Sequence, residues 1–117
     1  MLNTPNVAQT LTENAPLFAA LGDSTRLDLL LQLGEGGLCS ITQLAEGRAQ
    51  SRQAIRKHLQ VLEGVQLIRG VRRGRPPLFQ IEPQTIAIAA QSLIAIAHQW
   101  DDALSRLKSF VESDDPV

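Results

Sequence analysis

Between residues 40 and 63 two helical stretches are separated by a four-residue turn, and no other feature constrains the chain as tightly. Ser40 opens the first stretch with Gln43 three residues on, the pairing of a capping box. Gly47-Arg48-Ala49-Gln50 then makes the turn, and Ser51 caps a longer helix that runs to Glu63 and ends at Gly64. A short helix, a tight turn and a longer second helix predict a helix-turn-helix over about 40–63. With roughly 100° of rotation per residue, the second helix divides cleanly. Arg52, Gln53, Arg56, Lys57 and Gln60 share one side, and Ala54, Ile55, His58, Leu59, Val61 and Leu62 share the other. The first side has no acid until Glu63, whereas an ordinary solvated face mixes both signs.

That side has the donors a major groove requires. Arginine pairs bidentately with guanine and glutamine with adenine, while Ser51, Lys57 and the helix N-terminus suit phosphates. Arg52, Gln53 and Arg56 lie in the first turn and a half, the part of such a helix that enters the groove. His58 sits within the apolar arc and is expected to be a core histidine hydrogen-bonded between helices.

A second basic element follows. Residues 67–82 read as a hairpin, with strands Leu67–Arg72 and Leu78–Ile81 about a tip in which Arg72, Arg73 and Arg75 surround Gly74. Pro76 and Pro77 cannot donate to a ladder, so the second strand starts late or lies at an edge there. A basic tip of this kind suits a minor groove or the DNA backbone. Helix-turn-helix plus basic hairpin is a winged helix, so the fold expected is mainly α with a small β-hairpin wing.

The flanks are helical. Residues 5–21 form a helix in one or two pieces. Asp23 or Ser24 caps another from Thr25 to Leu33, with Leu27, Leu30 and Leu31 as its buried face and Gly34-Glu35-Gly36-Gly37 as its stop. A long helix runs from Pro83 to about Glu112. Its Ile86, Ala90, Leu93, Ala97, Trp100, Leu104, Leu107 and Val111 alternate in steps of four and three, and Ala89, Ile96, Ala103 and Phe110 form an adjacent row. A seam this long and wide exceeds what one small domain can cover. It predicts a homodimer formed through residues 84–112.

At 117 residues the chain fits one domain. Its net charge of −1 argues at first against nucleic acid, but the charges are segregated. Residues 48–75 hold eight basic residues against Glu63 alone, leaving three basic against eleven acidic elsewhere. One cysteine, Cys39, excludes an internal disulfide and any multi-thiolate metal site, and is read as a core residue. No apolar run reaches the roughly 18 residues of a membrane span, and the N-terminal stretch lacks the pattern of a secretion signal, so a cytoplasmic location is expected. No nucleophile–base set, paired-carboxylate cleft or phosphate loop is present, which argues against an enzyme. The rival to a DNA-binding regulator is an interaction module that turns the same basic face toward an acidic protein.

Three segments resemble the ArsR/SmtB family of bacterial winged-helix repressors. Leu21-Gly22-Asp23-Ser24-Thr25-Arg26-Leu27 is similar to the family's Leu-Ala-Asp-Pro-Thr-Arg-Leu opening. Ser51-Arg52-Gln53-Ala54-Ile55-Arg56-Lys57-His58-Leu59-Gln60-Val61-Leu62-Glu63 resembles its recognition helix, and Arg73-Gly74-Arg75 falls at its wing tip. The likeness spans about residues 15–112, with Ser24 in place of the usual proline and Pro76-Pro77 as a departure in the wing. It implies a homodimer packed through its first and last helices, with Leu11 of the first helix in the interface, that binds double-stranded operator DNA and represses nearby genes until a signal releases it. The family's metal sites do not carry over. Ser40 and Thr42 stand where one site has cysteines, with Cys39 one residue out of step. On the last helix His98 and Asp101 keep half of the other site's spacing, but residues 84–90 offer no Asp or His to complete it. No metal or other cofactor is expected.

Overall fold

Pro16 has no N–H to continue a helical ladder and sits in the first turn of a new helix, so the opening helical stretch breaks at Asn14. In the computed structural model, which describes residues 7–71 and 75–113, this gives α1 (Val7–Glu13) and α2 (Ala15–Leu21). Asp23 caps α3 (Ser24–Gly36) by accepting the backbone N–H of Arg26 at 3.1 Å. There follow β1 (Cys39–Ser40), α4 (Ile41–Ala45), α5 (Arg52–Gly64), β2 (Ile68–Val71), β3 (Leu78–Ile81) and α6 (Pro83–Ser113).

The structure corrects the expected end of α3. Helix continues through Gly34, Glu35 and Gly36 and stops at Gly37, whose φ of 72° closes the cap. Glycine inside a helix costs roughly 1 kcal/mol against alanine, and burial of Leu29, Leu30 and Leu33 along α3 offsets it. The buried face differs too. Leu30 is buried as expected, but its companions are Leu29 and Leu33, while Leu27 and Leu31 are 45% and 66% exposed. At the end of α5 the left-handed residue is Gln66 (φ 63°), so the helix runs through Gly64 instead of ending on it. The long helix begins at Pro83, as the sequence suggests.

The sheet has order β1-β3-β2, antiparallel throughout. β2 and β3 form the expected hairpin, with Ile68 opposite Ile81 and Val71 opposite Leu78. β1, where Cys39 pairs with Phe79 and Ser40 with Leu78, was not legible because two residues carry no period. β3 starts only after Pro77. Below the sheet Leu44, Ile55, Leu59 and Leu62 from the two helix-turn-helix members join Leu17, Leu29, Leu33, Leu67 and Ile68 in one core, and Cys39 is buried within it. The molecule is thus mainly helical with a small β wing.

α6 dominates the outline. Thirty-one residues make a helix about 46 Å long, and the molecule measures 74 × 38 × 21 Å. The body grips only the helix's start: Ala89 and Ser92 are its buried residues, and Ser92 Oγ accepts from Asn14 Nδ2 at 3.3 Å. From Leu93 to Ser113 nothing is buried.

Candidate nucleic-acid interface

The turn before α5 is held from both sides. Ser40 Oγ accepts the N–H of Gln43 at 3.2 Å, and the Gln43 side chain accepts the N–H of Ser40 at 2.8 Å, which completes the capping box of α4. Gly47 adopts φ 77°, a conformation that side-chain-bearing residues rarely take, and turns the chain toward Ser51. Ser51 Oγ accepts from the N–H of Ala54 at 3.1 Å. Its hydroxyl hydrogen stays available as a donor beside the free N–H groups of the first turn.

Ile55, Leu59 and Leu62 are buried beneath α5. Arg52, Gln53, Arg56, Lys57 and Gln60 are all exposed on its outer side. None of the five makes an ion pair or side-chain hydrogen bond with another described residue. Among the described residues their charges and amides are therefore uncommitted. Val61, at the margin of the apolar arc, is 42% exposed.

His58 is half-buried and bonded between helices, as expected. Arg26 on α3 approaches its Nδ1 at 3.2 Å through one guanidinium nitrogen. The same guanidinium donates to the carbonyls of Ala20 at 2.6 Å and Ala19 at 3.3 Å, at the end of α2. The Asp23 carboxylate lies 3.9 Å from His58 Nδ1. It is held below the ordinary carboxyl range, chiefly by the backbone N–H of Arg26, with the Arg26 and His58 charges helping.

Two arginines of the basic segment have other tasks. Arg48 is 13% exposed and binds Asp28, Gln32 and the carbonyl of Leu44, each at 2.6 Å. It braces α3 against the turn. Arg69 pairs with Glu82 at 2.9 Å. The charge imbalance of residues 48–75 therefore overstates what is free to meet a polyanion, because both carboxylates come from outside that segment. Sequence reasoning missed these roles, and that of Arg26, since their partners lie 13 to 32 positions away in the chain.

At the wing, Arg75 is exposed. Arg72 and Arg73 lie outside the described residues. Of the residues expected to form a dimer, Ala90, Leu93, Ala97, Trp100, Leu104, Leu107 and Val111 are exposed, and Leu11 and Ile86 are half-buried. Among the described residues, no three His, Cys, Asp or Glu side chains are grouped as a metal ion would need. No helix among them is long and apolar enough to cross a membrane.

Known proteins share this architecture. The model of a helix-turn-helix domain family matches residues 21–71. An ArsR-like transcriptional regulator from Rhodococcus sp. RHA1 is 35% identical and superposes with a TM-score of 0.84 over 92% of this chain and 98% of that one. The antimony-specific transcriptional repressor AntR is 27% identical, with a TM-score of 0.59 over 86% of this chain and 90% of its own. A homodimeric winged helix-turn-helix DNA-binding domain from Mycobacterium bovis has the same fold at 21% identity, with a TM-score of 0.62 over 84% and 92%. No curated protein sequence matches.

Proposed function

The chain belongs to the ArsR-like family of winged helix-turn-helix transcriptional regulators, which bind DNA and are not enzymes, and on that footing we propose that it is a homodimeric repressor reading its operator through the outer face of α5. The observation that carries the reading is the uncommitted set Arg52, Gln53, Arg56, Lys57 and Gln60 on a helix whose opposite side is locked into the core. Arg52, Gln53 and Arg56 enter the major groove first and supply bidentate donors to base edges. Ser51 and Lys57 hold phosphates. Gln60 lies further along the same face, and Arg72, Arg73 and Arg75 follow the minor groove or the backbone.

Dimerisation rests on α6. The exposed seam from Leu93 to Val111 is a larger apolar surface than a monomer in water ordinarily leaves open. A two-fold pair of α5 helices then spans half-sites about 34–36 Å apart. Repression is the activity of the antimony-specific neighbour AntR, and we extend it to this chain. Such a regulator needs no secretion signal, in keeping with a cytoplasmic location.

The test is selection of bound duplexes from a random library by the purified protein. An enriched inverted repeat, with half-sites about one helical turn apart, is expected. Recovery of no motif would overturn the reading, and would favour an acidic protein as the partner of the basic face.

A further inference from the structure

Of the twelve large hydrophobic side chains exposed among the described residues, nine lie on α6 and two, Leu27 and Leu31, lie on α3. Leu27 and Leu31 do not stand alone. With Leu21, Leu30, Ile81 and Ile86 they line an apolar groove of about 700 Å³ between α3, the end of β3 and the start of α6. Ile86 belongs at once to this groove and to the seam of α6, so the two apolar surfaces are continuous. Glu35 stands on the groove's lip.

One chain therefore carries both a groove and an apolar rod that its own body leaves uncovered. The rod is the distal part of α6, where Trp100 is 65% and Phe110 68% exposed. It points away from its own groove and cannot fold back into it. A two-fold partner removes both exposures at once, because an isologous contact uses each surface twice.

Antiparallel pairing of the two α6 helices is the arrangement that brings rod to groove. A crossing at Leu93 sets Trp100 opposite Ile86. A crossing at Ala97 sets Lys108 opposite Ile86, with Phe110 just beyond. In either register the segment that reaches the groove lies within Trp100–Val111. Parallel pairing would set Asp101 and Lys108 level with their own copies and leave both grooves open to water.

We propose that the groove walled by Leu27, Leu31 and Ile86 is a dimerisation site that receives the Trp100–Val111 segment of a second copy. This rests on the homodimer reading above, and extends the interface from α1 and α6 to α3. Such a contact buries Leu27 and Leu31, which the single chain leaves 45% and 66% exposed.

The test uses full-length chains with Cys39 replaced by alanine. A chain carrying Leu31→Cys is mixed with chains carrying Leu104→Cys, Leu107→Cys or Phe110→Cys and oxidised, with Asp102→Cys, on the far side of α6, as control. A covalent heterodimer with one or more of the three seam positions, well above the control, is expected. In parallel, Leu31→Glu should weaken the dimer measured by sedimentation by about tenfold or more, with an unchanged helical spectrum because the residue is exposed in the single chain. A dimer that persists with no cross-link above control and no effect of Leu31→Glu would overturn this site and leave the homodimer intact. A wild-type protein that sediments as a monomer at micromolar concentration would overturn the homodimer, and this site with it.

Discussion

Arg26 donates from its guanidinium to Nδ1 of His58 across 3.2 Å, joining the start of α3 to the middle of α5. Arginine has only donors, so Nδ1 of His58 is the acceptor in this contact. The remaining nitrogens of the same guanidinium close off the end of α2 through the carbonyls of Ala19 and Ala20. One side chain thereby ties three helices together beside the basic face of α5.

Loss of that tie should be felt in folding before it is felt in chemistry. Arg26→Ala is expected to cost about 1–3 kcal/mol, because it leaves part-buried acceptors unpaired. In urea titrations of Arg26→Ala, His58→Phe and the double variant, a coupling of about 0.5–3 kcal/mol is expected for groups in direct contact. Strict additivity would separate the two residues energetically.

Arg48 lies in the basic segment but serves the fold. Its contacts at 2.6 Å to Asp28, Gln32 and the Leu44 carbonyl predict that Arg48→Ala lowers stability by about 1–3 kcal/mol. The salt dependence of DNA binding should stay unchanged. A lower slope of affinity against salt, at wild-type stability, would place Arg48 on the phosphates instead.

Arg52 and Arg56 should behave in the opposite way. Each is exposed and without a partner among the described residues, so replacement by alanine should shift stability by no more than about 0.5 kcal/mol. Discrimination at one base position should fall by about 1–3 kcal/mol if the contact is bidentate. Lys57→Ala should weaken all sequences evenly and lower the salt slope by about one. Competition binding against single-base operator variants separates the two patterns.

The N-cap of α3 supplies a pH dependence. The Asp23 pKa in the folded chain lies below its ordinary value of 3.8, chiefly through the Arg26 N–H. Near that value the unfolded chain binds more protons, so the cap's ionic contribution is complete above about pH 4–5 and is lost as pH falls through the folded pKa. Asp23→Asn retains a capping oxygen without the titration. Its unfolding midpoint should fall less than the wild type's between about pH 5 and 2; parallel curves would show that Asp23 is not the responsible group.

Much of the architecture was legible because it is written in local periods. The caps at Ser40 and Ser51, the two-sided pattern of α5 and the seam of α6 each lie within a few turns of one helix. What could not be read depends on partners distant in sequence. Glycines at 34 and 36 signal a stop locally, yet packing of Leu29 and Leu33 carries α3 past them. Leu27 and Leu31 fit a buried face by spacing alone, and only the placement of β3 and α6 shows that they line an open groove. The charge count of residues 48–75 likewise hid the carboxylates that Asp28 and Glu82 bring to Arg48 and Arg69.

Sequence reading by α5 is tested most directly by the affinity of the purified protein for its selected operator and for a scrambled duplex of equal length, across a salt series. Affinity for both should fall linearly on a log–log plot with a slope of about −0.9 per phosphate neutralised, and the operator should remain tighter by about a thousandfold or more. Arg52→Ala and Arg56→Ala should erode that gap. Equal affinity for the two duplexes at every salt concentration, unchanged by either substitution, would contradict sequence reading by α5.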